Sequence, residues 1–204
     1  MRLRFSLLIP FLAAAPPSAA QTPAVRDGWH LGGGADVLRF AHVAVSDAEP
    51  GAAAKVRPSG RTALHLEIGR TTGSWDVSLE ANWAGGHIEV GNDALSVRDL
   101  TSDVDRYRLS LAAGHRLTEL GVNRLGLELA PTVDLWSVAG EGRVRGGAEV
   151  RVLLLVPLGG LSLENRIGLG FSGSPIEGAV DLGDVAEERG LWTFLVGFGL
   201  RAGL

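Results

Sequence analysis

The sequence has 204 residues and carries 19 basic and 23 acidic residues, for a net charge of −4. This acidic balance argues against a protein that binds nucleic acid, because such a protein needs a basic surface. The chain contains no cysteine, which excludes disulfides, thiolate chemistry and a lipid anchor carried on a cysteine.

The amino terminus predicts a secretory signal peptide over residues 1–20. Arg2 and Arg4 form a basic region, residues 5–15 are a short apolar run, and Ser18-Ala19-Ala20 supplies the small residues of a cleavage site. The apolar run is too short to span a bilayer, so an uncleaved anchor helix is the less favoured alternative. Cleavage near Ala20 leaves residues 21–204 as one domain with 17 basic and 23 acidic residues, a net charge of −6.

Alternation of apolar and polar residues predicts eight β-strands. In WDVSLEANW, residues 75–83, every second residue is apolar, so one face of the strand is apolar and the other is polar. The pattern recurs in residues 29–37, 62–70, 105–117, 124–135, 143–153, 161–171 and 192–204. A strand that crosses a membrane needs about 9–11 residues, whereas soluble strands average about 5–6. These lengths favour a membrane barrel.

The connections between the predicted strands alternate in length. Those at 71–74, 118–123 and 156–160 are short, whereas those at 46–61, 91–104 and 172–188 are longer; 137–142 is of intermediate length. Outer-membrane barrels combine short periplasmic turns with longer extracellular loops in this way. The order places both termini on the periplasmic side. The sequence therefore predicts an all-β fold, an eight-stranded antiparallel up-and-down transmembrane β-barrel.

Two positions break the regular pattern. Arg39 falls on the apolar face of the first strand and Phe40 on the polar face, so we expect this strand to end near Val37 or to contain a bulge. Pro131 lies inside the fifth predicted strand and has no N–H to donate, so we expect a bulge or an edge-like irregularity there.

The polar faces of the strands carry charges of both signs, which predicts an ion-paired barrel interior. An eight-stranded barrel is just wide enough for side chains to fill it, and a lone buried charge would cost too much free energy. The chain uses Arg and has a single Lys, Lys55, and Arg forms bidentate carboxylate pairs better than Lys. The predicted lumen network is Glu67, Asp76, Glu80, Arg106, Arg108, Glu128, Asp134, Arg145, Glu149, Arg151, Glu164, Arg166 and Arg201.

Aromatic residues fall near the ends of the predicted strands, where a barrel meets the two bilayer interfaces. Aromatic residues also cap strands in other β proteins, which is the competing interpretation. The predicted interfacial aromatics are Trp29 and Trp75 at the short-turn side and Trp83, Tyr107, Phe171 and Trp192 at the other.

The signal peptide, the eight amphipathic strands and the terminal strand with alternating aromatics together resemble the small bacterial outer-membrane β-barrel superfamily, which includes OmpA-transmembrane, OmpX/Ail and OmpW-like proteins. The resemblance implies an outer-membrane location in a Gram-negative envelope, contact with outer-membrane lipid and porin-like architecture. The last strand, residues 192–204, resembles the signal read by the barrel-assembly machinery. That signal usually ends in Phe, whereas this chain ends in Leu204.

The search for chemistry yields no catalytic, cofactor or metal site. The five histidines lack the spacing of a metal motif, and the sequence contains neither His-x-Ser nor GxSxG. His65 lies beside Glu67 on a polar face, where a hydrogen-bonding role in the lumen is favoured over a general base. The glycines at 32–34 favour close strand approach over phosphate binding. The acidic segment 181–189 is interpreted as a solvated loop rather than a cation site.

Four functional hypotheses follow. The favoured one is a barrel with a polar, ion-paired interior that acts structurally or through its extracellular loops, whose partners the sequence does not identify. The alternatives are a narrow channel or conduit for a small hydrophobic ligand, an outer-membrane lipid-modifying enzyme, and a soluble periplasmic β-barrel binding protein. In the last case the apolar strand faces would point inward. Because one fold hosts many functions, the choice among them depends on the interior and the loops.

Overall fold

A computed structural model describes residues 27–41, 44–46, 55–59, 61–91, 96–138, 140–175, 185–187 and 190–204. The predicted signal peptide and most of the acidic segment 181–189 lie outside these residues. None of the described segments forms a helix long and apolar enough to cross a membrane. The strands are β1 (Gly28–Phe40), β2 (Ala44–Ser46), β3 (Lys55–Pro58), β4 (Arg61–Thr72), β5 (Trp75–Gly91), β6 (Ser96–Leu120), β7 (Asn123–Val138), β8 (Glu141–Leu158), β9 (Leu161–Gly173), β10 (Val185–Glu187) and β11 (Gly190–Gly203).

Eight long strands close into one antiparallel ring, in the order β1-β4-β5-β6-β7-β8-β9-β11. The ring closes because β1 pairs with β11 on its other edge, in a continuous register from His30–Gly203 to Phe40–Thr193. Closure leaves the ring without a free edge, so each long strand has a hydrogen-bonded neighbour on both sides. The predicted eight-stranded up-and-down barrel is confirmed.

Three two-residue turns join strands at one end, which we call the short-turn end. Each turn contains a glycine with a left-handed backbone: Gly73 at φ 60°, Gly121 at φ 66° and Gly159 at φ 68°. Glycine adopts this conformation without the steric cost that a side chain would bring. The first residue of β1, Gly28, and the last residue of β11, Gly203, also lie at the short-turn end, because β1 and β11 pair there. The opposite end is called the long-connection end.

At the long-connection end the strands run further than the sequence suggested. The predicted loop 91–104 is mostly β-structure, because β5 extends to Gly91 and pairs with β6 from Ser96 onward. The predicted loop 46–61 contains β3, which pairs with the end of β5, and β2 and β10 add to β3 in turn. A small sheet therefore continues the barrel wall beyond the ring on this side.

The apolar faces of the ring strands point outward and the polar faces point inward. Along β4, Leu64, Leu66 and Ile68 are exposed, while His65 and Glu67 between them are buried. The same alternation runs through β7, β9 and β11. This is the reverse of a soluble barrel, whose core is apolar and whose surface is polar.

Of the two irregularities expected from the sequence, the one in β1 is absent, and the one at Pro131 takes the form of an interrupted pairing with β6 rather than a bulge. β1 continues without a bulge to Phe40, with Arg39 exposed and Phe40 buried, so the expected end near Val37 was wrong. Pro131 keeps its register with β8, and no bulge forms there. On the other side of β7, β6 forms no backbone pair with Pro131. The register between β6 and β7 is nevertheless the same before and after this interruption. The register shift in this pair lies between Arg116 and Thr118.

Phe40 points inward because the side chains that fill the interior are apolar toward the long-connection end. The inward side chains there form an apolar cluster that packs across the barrel. Phe40 and Trp136 contact each other edge to face, with ring centroids 5.8 Å apart. The apolar cluster consists of Leu38, Phe40, Ala63, Ala84, Val104, Trp136, Val138, Leu191 and Leu195.

Candidate functional site in the barrel interior

Below the apolar cluster, charged side chains from all eight strands of the ring meet in the middle of the interior. Arg166 of β9 is 1% exposed and lies between two carboxylates. Its Nε donates to Oδ1 of Asp36 at 2.7 Å and its Nη2 to Oδ2 at 2.5 Å, which is the bidentate geometry that suits a guanidinium. Its Nη1 donates to Oε2 of Glu80 at 2.7 Å.

Arg151 of β8 extends the network from the same carboxylate. Its Nη1 donates to Oε2 of Glu80 at 2.5 Å, so Glu80 joins two guanidinium groups. Its Nε lies 3.1 Å from Oε1 of Glu149 and 3.6 Å from Oε2 of Glu128. Sharing of this kind keeps each buried charge close to an opposite charge, as a low-dielectric interior requires.

Arg108 of β6 lies nearest the apolar cluster. Its Nε and Nη2 donate to the two oxygens of Asp134 at 2.6 and 2.8 Å, and its Nη1 donates to Glu149 at 2.5 Å. Asp134 is the register partner of Arg108 on the neighbouring strand. This pair is therefore set by adjacent strands, whereas Arg166 reaches Asp36 across β11 and Arg151 reaches Glu80 across β6 and β7.

Arg201 of β11 gathers the carboxylates at the short-turn end. Its Nε lies 2.8 Å from Glu67, its Nη1 3.2 Å from Asp76 and its Nη2 2.8 Å from Glu164. Glu164 also lies 3.9 Å from Nη1 of Arg166. The ionic network is thus continuous along the interior, and comprises Asp36, Glu67, Asp76, Glu80, Arg108, Glu128, Asp134, Glu149, Arg151, Glu164, Arg166 and Arg201.

Two arginines of the predicted lumen set lie apart from this network. Arg106 is 2% exposed, and the described residues place no carboxylate within 4 Å of its guanidinium. It lies over the rings of Phe40 and Trp136, 5.4 and 5.6 Å from their centroids, and its Nη2 donates to Asn82 at 3.4 Å. Arg145 is half-buried, and its Nε donates to the carbonyl oxygen of Ser174 at 2.7 Å.

Glycines provide the space that the ionic network fills. A Cβ on Gly197 would occupy the place of Asp36 Oδ1, and one on Gly32 would collide with the Glu67 carboxylate. Gly34 is constrained differently, because a Cβ there would collide with the backbone of Phe198 and Gly199 on the paired strand. The glycine run of β1 thus allows both large side chains and close strand approach.

The structure adds interior residues that the sequence analysis did not include in the network. Asp36 binds Arg166, and its Oδ2 also lies 3.4 Å from Nδ1 of His65. Nε2 of His30 lies 3.9 Å from Glu67 and 3.8 Å from Asp76. The alternation in the sequence of β1 could have identified both residues, because His30 and Asp36 lie on its polar face. The opposite face carries Trp29, Leu31, Gly33, Ala35 and Val37.

The six aromatic side chains predicted for the interfaces all point outward and are 44–57% exposed. Trp29 and Trp75 lie at the short-turn end, and Trp75 contacts His115 with ring centroids 4.7 Å apart. The other four lie toward the long-connection end, where Phe171 and Trp192 are 4.9 Å apart and Trp83 pairs with Tyr107 across neighbouring strands. Trp136 is different, since it points inward and is 2% exposed.

The charged groups of the interior compensate one another. Within the described ranges, no group of three or more His, Asp or Glu side chains is arranged to hold a metal ion. His65 and His30 each face carboxylates that also contact arginines. The arrangement can neutralise buried charge, fix the positions of strands across the ring and fill the barrel with polar side chains.

Comparison with solved structures places the fold among outer-membrane barrels. Neisserial surface protein A superposes with a TM-score of 0.59 at 11% identity, over 87% of this chain and 97% of that one. The outer-membrane protein OprG from Pseudomonas aeruginosa superposes with a TM-score of 0.59 at 12% identity, over 88% and 98% of the two chains. No protein-family profile and no curated protein sequence matches the chain. What this chain shares with these two proteins is therefore the fold alone.

Proposed function

We propose that this protein resides in the outer membrane, crosses it with eight strands around a closed, ion-paired interior, and acts structurally or through its long-connection end. The observation that supports this proposal most strongly is the orientation of the strand faces. Leu66 is 72% exposed and Val37 62%, while Arg166 is 1% exposed. In water this surface would be an extended apolar patch, whereas in a bilayer it meets lipid tails. The soluble periplasmic alternative needs the reverse orientation.

The length of the strands supports the same proposal. β4 has 12 residues, and at about 3.3 Å per residue and a tilt of about 40° it rises about 30 Å. This rise matches the hydrocarbon core of a bilayer, about 30 Å thick. The exposed aromatics at both strand ends suit the two interfaces. In this orientation the short-turn end faces the periplasm, and the last strand, β11, supplies the segment for the barrel-assembly machinery.

The packing of the interior favours a structural or loop-mediated role over a conduit. The ionic network crosses the barrel through Arg166 and Arg151, both at most 2% exposed, and the apolar cluster packs across it nearer the long-connection end. An ion or ligand would have to displace both layers in order to pass. The proposal assigns no catalytic step to the chain. The signal peptide, with cleavage near Ala20, delivers the chain to the envelope.

Cell fractionation and gel mobility test this proposal. The full chain is expressed in a Gram-negative host, and the membrane fractions are run on SDS gels with and without boiling. We expect the protein in the outer-membrane fraction, with its amino terminus at Gln21, and a mobility that changes on boiling because the closed barrel resists SDS. A soluble periplasmic protein without a shift would contradict the proposal. Conductance steps in planar bilayers would favour the conduit instead.

A further inference from the structure

Buried hydrogen-bond donors without acceptors gather where the apolar cluster meets the ionic network. Arg106 is 2% exposed, and its Nε and Nη1 have no hydrogen-bond partner among the described residues. The same is true of Nε1 of Trp136, which is 2% exposed, and of the hydroxyl group of Thr193, which is 1% exposed. A buried donor without an acceptor costs free energy, so these groups indicate an acceptor that they share.

The pairing of the strands brings these three side chains to one level of the barrel. Arg106 of β6 and Trp136 of β7 are register partners, and the guanidinium carbon lies 5.6 Å from the Trp136 ring centroid. Phe40 of β1 is the register partner of Thr193 of β11. The Phe40 ring centroid lies 5.4 Å from the same guanidinium carbon and 5.8 Å from the Trp136 ring centroid. The donors therefore lie around Phe40, in a single layer of the interior.

The charge of Arg106 decides between an anion and a water molecule as the shared acceptor. No carboxylate of the described residues lies within 4 Å of its guanidinium, and its contact with Asn82 Oδ1, at 3.4 Å, is to a neutral group. The carboxylates on the next two strands bind another arginine, because Arg108 donates to both Asp134 and Glu149. Water can accept the hydrogen bonds of Arg106, but only an anion also compensates its buried charge.

The surroundings of the donors favour a small anion that carries a single charge. Leu191 and Leu195 lie on either side of Thr193 along the inward face of β11, and Leu38 lies next to Phe40 on that of β1. The interior of an eight-stranded barrel is only wide enough for its side chains. A sulfate or phosphate ion would bring two negative charges into this apolar layer, at a greater cost in lost hydration. A halide ion matches the single charge of Arg106.

We propose that the barrel interior binds one chloride ion, held by Nε and Nη1 of Arg106 and by the indole N–H of Trp136, with the hydroxyl of Thr193 as a further donor. The ionic network closes the site on one side and the apolar cluster on the other. The ion would therefore enter as the strands close into the ring and leave when the barrel unfolds. It would link β6, β7 and β11 at the level where the ionic network ends.

Unfolding at a series of chloride concentrations tests the proposal. The full chain is refolded into phospholipid vesicles and unfolded with urea, while chloride is varied from about 1 to about 300 mM and gluconate, which is too large for a closed site, keeps the ionic strength constant. Arg106→Met removes the cation, and Trp136→Phe removes the indole N–H but keeps an aromatic ring. Arg39→Met, on the exposed face of β1, is the matched control.

An ion that binds only the folded chain lowers the equilibrium constant for unfolding by about tenfold for each tenfold rise in its concentration above the dissociation constant. We expect this dependence for the natural chain and for Arg39→Met, and none for Arg106→Met. Trp136→Phe should need severalfold more chloride for the same effect. At the lowest chloride concentration Arg106→Met should be at least as stable as the natural chain, because little chloride is then bound.

Unfolding of the natural chain that does not respond to chloride would overturn the proposal and identify water as the acceptor. A response of equal size in Arg106→Met would also overturn it, because the effect of chloride would then arise elsewhere on the protein. The boiling-dependent gel shift shows which variants form the barrel. If Arg106→Met does not form it, Trp136→Phe decides, and a chloride response identical to that of Arg39→Met would contradict the site.

Discussion

The ionic network and the apolar cluster fill the same narrow interior in different ways. In the ionic network, arginines such as Arg166 are held by hydrogen bonds to carboxylates of other strands. In the apolar cluster, Phe40 and Trp136 pack by contact, and Arg106 lies against them without a carboxylate within 4 Å among the described residues. Buried arginines in this barrel therefore lie in two different environments, and the same Arg→Met substitution at each site distinguishes them.

The largest effect is expected for Arg166→Met. The substitution leaves Asp36 and Glu80 with one guanidinium fewer in a buried position, so we expect the free energy of unfolding to fall by about 3–5 kcal/mol. Urea unfolding in phospholipid vesicles, followed by tryptophan fluorescence, measures it. Arg39→Met is the control on the exposed face of β1, with an expected change below about 0.5 kcal/mol. Equal losses for the two variants would contradict the account.

Arg106→Met makes the same chemical change in the apolar cluster, and here we expect a different sign. The described residues place no carboxylate within 4 Å of this buried guanidinium, so its removal relieves a desolvation cost, and stability should stay constant or rise by about 1–2 kcal/mol. The same urea titration gives the result. A loss as large as that of Arg166→Met would mean that Arg106 belongs to the ionic network.

A smaller effect is expected from Gly34→Ala, which tests the close strand approach beside the ionic network. The added methyl group would collide with the backbone of Phe198 and Gly199, so β1 and β11 must move apart, at a cost of about 1–3 kcal/mol. Gly142→Ala is the control, because nothing lies within 4 Å of its added Cβ. The prediction fails if both variants unfold at the same urea concentration.

The smallest effect is expected outside the interior, for Glu119→Gln. Glu119 pairs with Arg116 at 3.2 Å, but its side chain is 57% exposed. Exposed ion pairs contribute little because water and salt screen them, so the loss should stay below about 0.5 kcal/mol and vanish in high salt. A loss above about 1 kcal/mol that persists in high salt would show that exposed and buried pairs do not differ as described.

The ring and the orientation of its faces were predictable from the sequence, because alternation survives wherever one face is polar. It fails where both faces are apolar. Leu38 and Phe40 point inward beside the outward Val37, so the alternation in β1 stops before the strand does, and Trp136 was missed for the same reason. Which arginine meets which carboxylate was not predictable, since Arg166 and Asp36 are 130 residues apart and only ring closure and register bring them together.

The most direct test of the central claim is whether the apolar strand faces contact lipid. Leu66→Cys on the outer face of β4 and Gly126→Cys on the inward face of β7 are each labelled with a small fluorophore and refolded into vesicles that contain brominated lipids. The account predicts strong quenching at position 66 and almost none at position 126, because only Leu66 points away from the interior. Quenching at neither position, or only at position 126, would contradict it.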